Sequence, residues 1–142
     1  YDKSLLSIFS KVARNLDMEH VMVVHGEDGL DEISITGPTH ISEYKDYKIN
    51  EYSICPEDFG IAPASFDEIA AQSSEESLRM VKEAFAGEKS AVQDMIALNA
   101  GAALYIARKV DSIGDGVELS YNLMNNGRAA DKLAAYVRVS NI

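Results

Sequence analysis

Apolar residues recur at Leu5, Ile8, Phe9, Val12 and Leu16, with Lys3, Ser10, Lys11 and Asn15 mostly on the opposite side. That spacing is helical, so residues 4–16 are predicted to form an amphipathic helix. A different pattern follows. Val21 to Val24 is a short continuous apolar run, rich in β-branched residues and bounded by turn formers, and reads as a buried strand. From Ile33 to Ile54 the apolar positions Ile33, Ile35, Ile41, Tyr47, Ile49, Tyr52 and Ile54 fall in short alternating pieces, interrupted by Gly37-Pro38. Two or three short antiparallel strands forming a ribbon are expected there.

Residues 55–63 carry Pro56, Gly60 and Pro63 without a steady period, as a crossing loop does. Helical signals dominate from there on. Ser73-Ser74-Glu75-Glu76 has the form of a capping box, Leu78, Val81 and Phe85 supply a buried face, and Gly87 ends the element. Ser90-Ala91-Val92-Gln93 repeats the device for a long helix reaching about Val110. Val92, Ile96, Ala100, Ala103, Leu104 and Ala107 are expected inward, and Gly101 allows a close neighbour. Gly114-Asp115-Gly116 is read as a break, after which Asp115 and Glu118 open a last helix; Gly127 marks either a break after Asn125-Asn126 or a tight crossing, and one helix running through it is the favoured reading. Gly127 in its interior would cost about 1 kcal/mol relative to Ala.

The order is helix, strand, acidic loop, ribbon, then three helices: an α/β chain short of strands. An open parallel sheet draws its strands from several βα units with helices on both faces. One buried strand with open edges therefore implies partner strands outside these residues. With 142 residues, a single partial domain over 1–142 is expected.

Charge narrows the partners. Twenty-three acids against 13 bases give a net charge of −10, with no basic run, which argues against a nucleic-acid partner. The longest apolar stretch, residues 95–107, is too short to span a bilayer and is interrupted by Asn99, so no membrane partner is expected. The single Cys55 excludes an internal disulfide and suits a reducing, cytoplasmic setting.

Candidate chemistry gathers behind the first strand. His25-Gly26 is followed within six residues by Glu27, Asp28, Asp31 and Glu32. Gly26 and Gly29 permit positive φ or a close backbone approach. Adjacent carboxylates on a loop beyond a strand end can hold a hard cation. The same stretch also reads as an acidic, solvated turn. His25 invites a general-base reading as histidines do, but no Ser, Cys or Asp is placed by sequence to complete a relay, and a His closing the strand and bonded to backbone is the preferred reading. Asn99 on an apolar helix face reads as a hydrogen-bonded core residue, Cys55 as a small hydrophobe, and Tyr105 and Tyr121 as core edges.

The string His25-Gly26-Glu27-Asp28-Gly29-Leu30-Asp31-Glu32, with Thr36-Gly37-Pro38-Thr39 behind it, resembles the anthranilate phosphoribosyltransferase family. Cys55-Pro56-Glu57-Asp58-Phe59-Gly60, Ala86-Gly87-Glu88-Lys89 and Leu98-Asn99-Ala100-Gly101-Ala102-Ala103-Leu104-Tyr105 extend the resemblance in order. It runs nearly end to end but covers only the C-terminal part of such an enzyme. The family's upstream Gly-Thr-Gly-Gly-Asp phosphate loop and Lys-His-Gly-Asn-Arg segment are not among these residues, and the start at Tyr1 fits a piece of a longer chain.

The resemblance implies the C-terminal part of the large α/β domain of a nucleoside phosphorylase/phosphoribosyltransferase-like fold. It implies transfer of a phosphoribosyl group from phosphoribosyl pyrophosphate to anthranilate, a step of tryptophan biosynthesis. Asp31 and Glu32 are then the metal-side carboxylates that place Mg²⁺ on the donor pyrophosphate, while Glu27 and Asp28 are expected to face solvent. The missing N-terminal half would be a partner, the fragment alone would be inactive, and association into a homo-oligomer is expected. A pyrimidine nucleoside phosphorylase or a non-catalytic binding module of the same fold are the competing readings.

Overall fold

The opening periodicity forms helix α1, Leu6–Asn15, entered through a 3₁₀ turn at Lys3–Leu5. The computed structural model describes residues 2–140. Within the described residues α1 does not bury its apolar stripe. Ser10 and Ala13 face inward, whereas Ile8, Phe9, Val12 and Leu16 stand 45–69% exposed. Ser10 Oγ lies 2.8 Å from Ser42 Oγ, so a pair of small hydroxyls joins helix and sheet.

Strands β1 (His20–Gly26), β2 (Thr39–Lys45) and β3 (Lys48–Ile54) make one antiparallel sheet in the order β1-β2-β3. Two expectations change here. The first strand is joined to the ribbon, with Val23 opposite Ser42 and Met22 opposite Glu43. Its residues 21–25 are only half-buried, and among the described residues its other edge carries no strand partner. Ile33 and Ile35, which alternate like strand residues, lie in irregular backbone and are nevertheless 2% and 0% exposed. The β2–β3 turn places Asp46 and Tyr47 both at positive φ, 49° and 64°, as a two-residue hairpin turn of the tight kind requires. Asp-Tyr is an unusual pair for that geometry, so the turn had no clear sequence signature.

Side chains alternate across β2. Ser42 meets α1 on one face, and Ile41 and Glu43 turn to the other. There Glu43, 6% exposed, accepts hydrogen bonds from His20 Nε2 (2.7 Å), Tyr52 (2.9 Å) and Tyr105 (2.9 Å). Lys45 Nζ in turn donates to the Tyr105 hydroxyl at 3.0 Å. Burial alone would raise the Glu43 carboxyl, but the bonds from His20, Tyr105 and Tyr52 outweigh it and hold it below the usual carboxylate range. The same closeness pushes the Tyr52 hydroxyl well up, first by burial and then by its bond to Glu43.

Four helices follow, not three: α2 Ser74–Phe85, α3 Ala91–Ile106, α4 Ile113–Asn125 and α5 Arg128–Ser140. Ser73 and Ser90 cap α2 and α3 through the N–H groups of Glu76 and Gln93. The reciprocal half of the first box is displaced by one residue, because Glu76 accepts from the Gln72 N–H. Gly114-Asp115-Gly116 does not break the chain. Ser112 caps α4 through Asp115 N–H, and both glycines lie inside its first turns. The single last helix is in fact two, separated at Asn126-Gly127, where Gly127 takes φ +81°. An interior cost for Gly127 does not arise, since the left-handed region is where glycine ends helices.

The buried side of α3 also differs from the expected one. Gln93, Ala97, Leu98, Gly101 and Ala102 are buried, while Ala103 and Ala107 are exposed. The core gathers Ile33, Ile35, Ile41, Ile54, Ile61, Ala97, Leu98, Ala102, Val117 and Met124, joining the sheet, the irregular segment after β1, and helices α3 and α4. Among the described residues no helix is long and apolar enough to cross a membrane.

Candidate functional site

β1 ends at Gly26, and the acidic loop leaves from its carboxyl end. The loop folds on itself: Gly26 N–H donates to Leu30 O and Gly29 N–H to Gly26 O, both at 2.9 Å. A Cβ at Gly26 would stand 2.5 Å from Asp28 Oδ1, so this close return of the acid needs glycine there. Gly29 adds a φ of +91°.

Asp28 is exposed, as expected, and its carboxylate also serves as the internal clip of the loop. Its Oδ1 accepts from Leu30 N–H at 3.0 Å, and its Oδ2 accepts from the Ser34 and Thr36 hydroxyls at 2.5 Å each. Burial tends to raise this carboxyl, but the bonds from Ser34, Thr36 and Leu30 prevail and lower it below the ordinary range. Glu27 is exposed, as expected.

The segment beyond the acids is pinned residue by residue. Asn99 on α3 meets both backbone groups of Ile33: Ile33 N–H donates to Oδ1 at 2.9 Å, and Nδ2 donates to Ile33 O at 2.8 Å. Ser34 N–H donates to Thr39 Oγ1 at 2.9 Å, and Ala64 N–H donates to Ile35 O at 3.0 Å. The expectation for Asn99 holds, and its partner is the loop itself. Asp28 and Asn99 are the site residues whose tasks the linear pattern did not disclose. A Ser and a Thr at even spacing behind an acid were the faint signal for the first.

Asp31 and Glu32 thus project, both exposed, from a short stretch between two held backbone positions. Asp31 also lines a cleft of about 270 Å³ together with Leu5, Phe9, Val23, Val24 and His25. His25 sits half-buried near the end of β1, opposite His40. Among the described residues no group of three His, Cys, Asp or Glu side chains is set to hold a metal by itself. Two adjacent carboxylates suit a hard cation that takes its other ligands from phosphate and water, the usual habit of Mg²⁺. Cys55 is an unpaired thiol, half-buried at the N-cap of a 3₁₀ turn, Pro56–Phe59. Tyr121 donates to Asp94 Oδ1 at 2.5 Å across α3 and α4.

The chain as a whole has relatives among known proteins. The anthranilate phosphoribosyltransferase of Halorhodospira halophila is 44% identical over 128 residues, covering 90% of this chain and 37% of the relative. The enzyme of that name from Chromohalobacter salexigens is 44% identical over 142 residues, covering 98% and 41%. The chain therefore spans about two-fifths of the length of the curated relatives it matches. Among solved structures, the Thermus thermophilus anthranilate phosphoribosyltransferase superposes with a TM-score of 0.88 at 29% identity, over 97% of this chain and 40% of that one. The Saccharomyces cerevisiae enzyme in complex with PRPP and Mg gives 0.87 at 21% identity, over 100% and 42%, a likeness that carries the fold alone. A family model, the glycosyl transferase family a/b domain, matches residues 1–130. The match takes in the strand, the pinned acidic loop, the hairpin and all of α2 to α4, and by it this chain belongs to the glycosyl transferase family described by that a/b-domain model.

Proposed function

We propose that the chain is the C-terminal part of an anthranilate phosphoribosyltransferase and contributes the metal-side carboxylates of its active site. The observation that carries this reading is the adjacent Asp31–Glu32 pair, projected beyond the end of β1 on a loop held from both sides. The two curated relatives described above, each 44% identical, carry that enzyme's name.

In this reading the 5-phosphoribosyl group passes from phosphoribosyl pyrophosphate to the amine of anthranilate. The bond from the ribose anomeric carbon to the pyrophosphate oxygen breaks, the carbon–nitrogen bond forms, and the amine gives up a proton. Bound Mg²⁺ would supply charge neutralisation on the departing pyrophosphate. Asp31 and Glu32 would fix that cation against the donor, and the loop around them would keep the pair from following it. Holding reactants in register is itself a large part of such a rate enhancement. The donor-phosphate loop and most of the anthranilate pocket belong, in this reading, to the remaining three-fifths of the enzyme, so the 142-residue chain by itself is inactive. A cytoplasmic location accompanies the proposal.

The test is made in the complete enzyme with Asp31→Asn and Glu32→Gln together, which remove charge and little volume. Turnover falls, and the Mg²⁺ concentration for half-maximal rate rises. Thermal stability changes by no more than about 0.5 kcal/mol, as for surface residues generally. Wild-type turnover with an unmoved Mg²⁺ titration would leave the loop an ordinary solvated turn.

A further inference from the structure

Only Asp31 and Glu32 lie between two clamped backbone positions. On one side Leu30 N–H is held by Asp28 Oδ1 at 3.0 Å. On the other side both the N–H and the carbonyl of Ile33 are held by the one side-chain amide of Asn99, at 2.9 and 2.8 Å. Asn99 is itself fixed, since Nδ2 also donates to Met95 O one turn earlier at 3.0 Å. Its neighbour Leu98 is fully buried, at 0% exposure, so the amide stands on a helix packed into the core.

We propose that Asn99 is a positioning residue for the Asp31–Glu32 carboxylates, acting through the backbone of Ile33 as a neighbouring strand would, with Asp28 as the opposing clamp. The inference rests on the reading that Asp31 and Glu32 hold metal on the donor pyrophosphate. A primary amide presents one donor and one acceptor in a plane, matching the two backbone groups of a single residue. A carboxylate in its place would set an acceptor against the Ile33 carbonyl, and an apolar side chain would leave both backbone groups of this buried residue unpaired. Neither Asn99 nor Asp28 needs to touch substrate. Each sets where the two carboxylates stand, and partners of this kind typically alter metal affinity or activity by about 10- to 100-fold when lost.

The experiment uses the complete enzyme and compares Asn99→Asp, Asp28→Ala, the Asp31→Asn/Glu32→Gln doublet, and the doublet combined with Asn99→Asp. Each is followed by Mg²⁺ titration of turnover, KM for anthranilate and thermal unfolding. Asn99→Asp raises the half-saturating Mg²⁺ concentration and lowers kcat, each by about tenfold or more, with KM for anthranilate unchanged. Added to the doublet, it produces no further shift in the Mg²⁺ titration. Asp28→Ala, on the exposed side of the loop, moves the same two quantities in the same direction and keeps the test intact if Asn99→Asp does not fold. A folded Asn99→Asp or Asp28→Ala enzyme with wild-type Mg²⁺ dependence, while the doublet shifts it, would overturn the positioning role and leave the metal reading standing. A shift additive to that of the doublet would also overturn it. A doublet that leaves the titration unmoved overturns the metal reading, and the positioning role falls with it.

Discussion

Gly101 on α3 and Gly116 on α4 meet backbone against backbone. A Cβ at Gly101 would lie 2.6 Å from the Val117 nitrogen, and one at Gly116 would run into the Gly101 carbonyl. The two helices cross at their closest where neither has a side chain, and this crossing seats Val117 and Ala102 in the core. α3 is therefore fixed as the platform from which Asn99 reaches the acidic loop.

Gly116→Ala and Gly114→Ala should separate contact from propensity. Both sit in the first turns of α4, but a Cβ at Gly114 meets only the Ser112 hydroxyl, at an ordinary 3.7 Å. Gly114→Ala should stabilise by about 0.5 kcal/mol through the unfolded chain. Gly116→Ala should destabilise, because its Cβ meets rigid Gly101 backbone, which puts overpacking toward the upper end of about 1–3 kcal/mol, above the roughly 1 kcal/mol propensity gain. Urea unfolding of both variants checks the opposite signs.

Glu43 should make the fold acid-sensitive. Its folded-state pKa is lowered, so its stabilisation is present above the unfolded glutamate value and is lost as pH falls through the lower folded value. The groups around it are His20 from β1, Tyr52 from β3 and Tyr105 from α3, with Lys45 bonded to Tyr105. Glu43→Gln should cost about 2 kcal/mol at pH 7, the scale of hydrogen bonds to a buried charge. It should also flatten the decline in stability below about pH 4. Equal acid limbs for wild type and variant in urea titrations would contradict this.

The exposed stripe of α1 should drive association of the 142-residue chain. Ile8, Phe9, Val12 and Leu16 lie 45–69% exposed, and among the described residues one edge of β1 has no strand partner. Apolar patches and bare strand edges both recruit other chains. Light scattering should give a mass that rises with concentration, reduced by Phe9→Glu together with Val12→Lys. A monomeric mass at high concentration would count against it.

Local chemistry was legible in the residues themselves. Ser73 and Ser90 announce their helices because a hydroxyl one position ahead of a helix meets the same orphan N–H groups wherever it occurs. The acidic loop was visible because carboxylates and glycines cluster there, and the α/β character and the family likeness were carried by strings of neighbouring residues. The division at Gly127 was not decided by the sequence because a lone glycine inside a helical pattern has two outcomes, and only the φ of +81° decides between them.

What the tertiary structure decided is which surfaces meet. Periodicity marks the apolar stripe of α1 but says nothing about what lies against it, and here Ser10 rather than Phe9 faces the sheet. The inward face of α3 was misjudged for a related reason. Its small residues run all round the helix, so the choice falls to the close approach at Gly101, which depends on a residue 15 positions later. Asp28, Ser34 and Thr36 were each readable as solvated loop residues, and Asn99 lies 66 positions from Ile33. Sequence alone determines which groups must find hydrogen-bond partners or a core. Pairings this distant are set only when the chain closes, because loop length adds little free energy and local pattern carries no record of it.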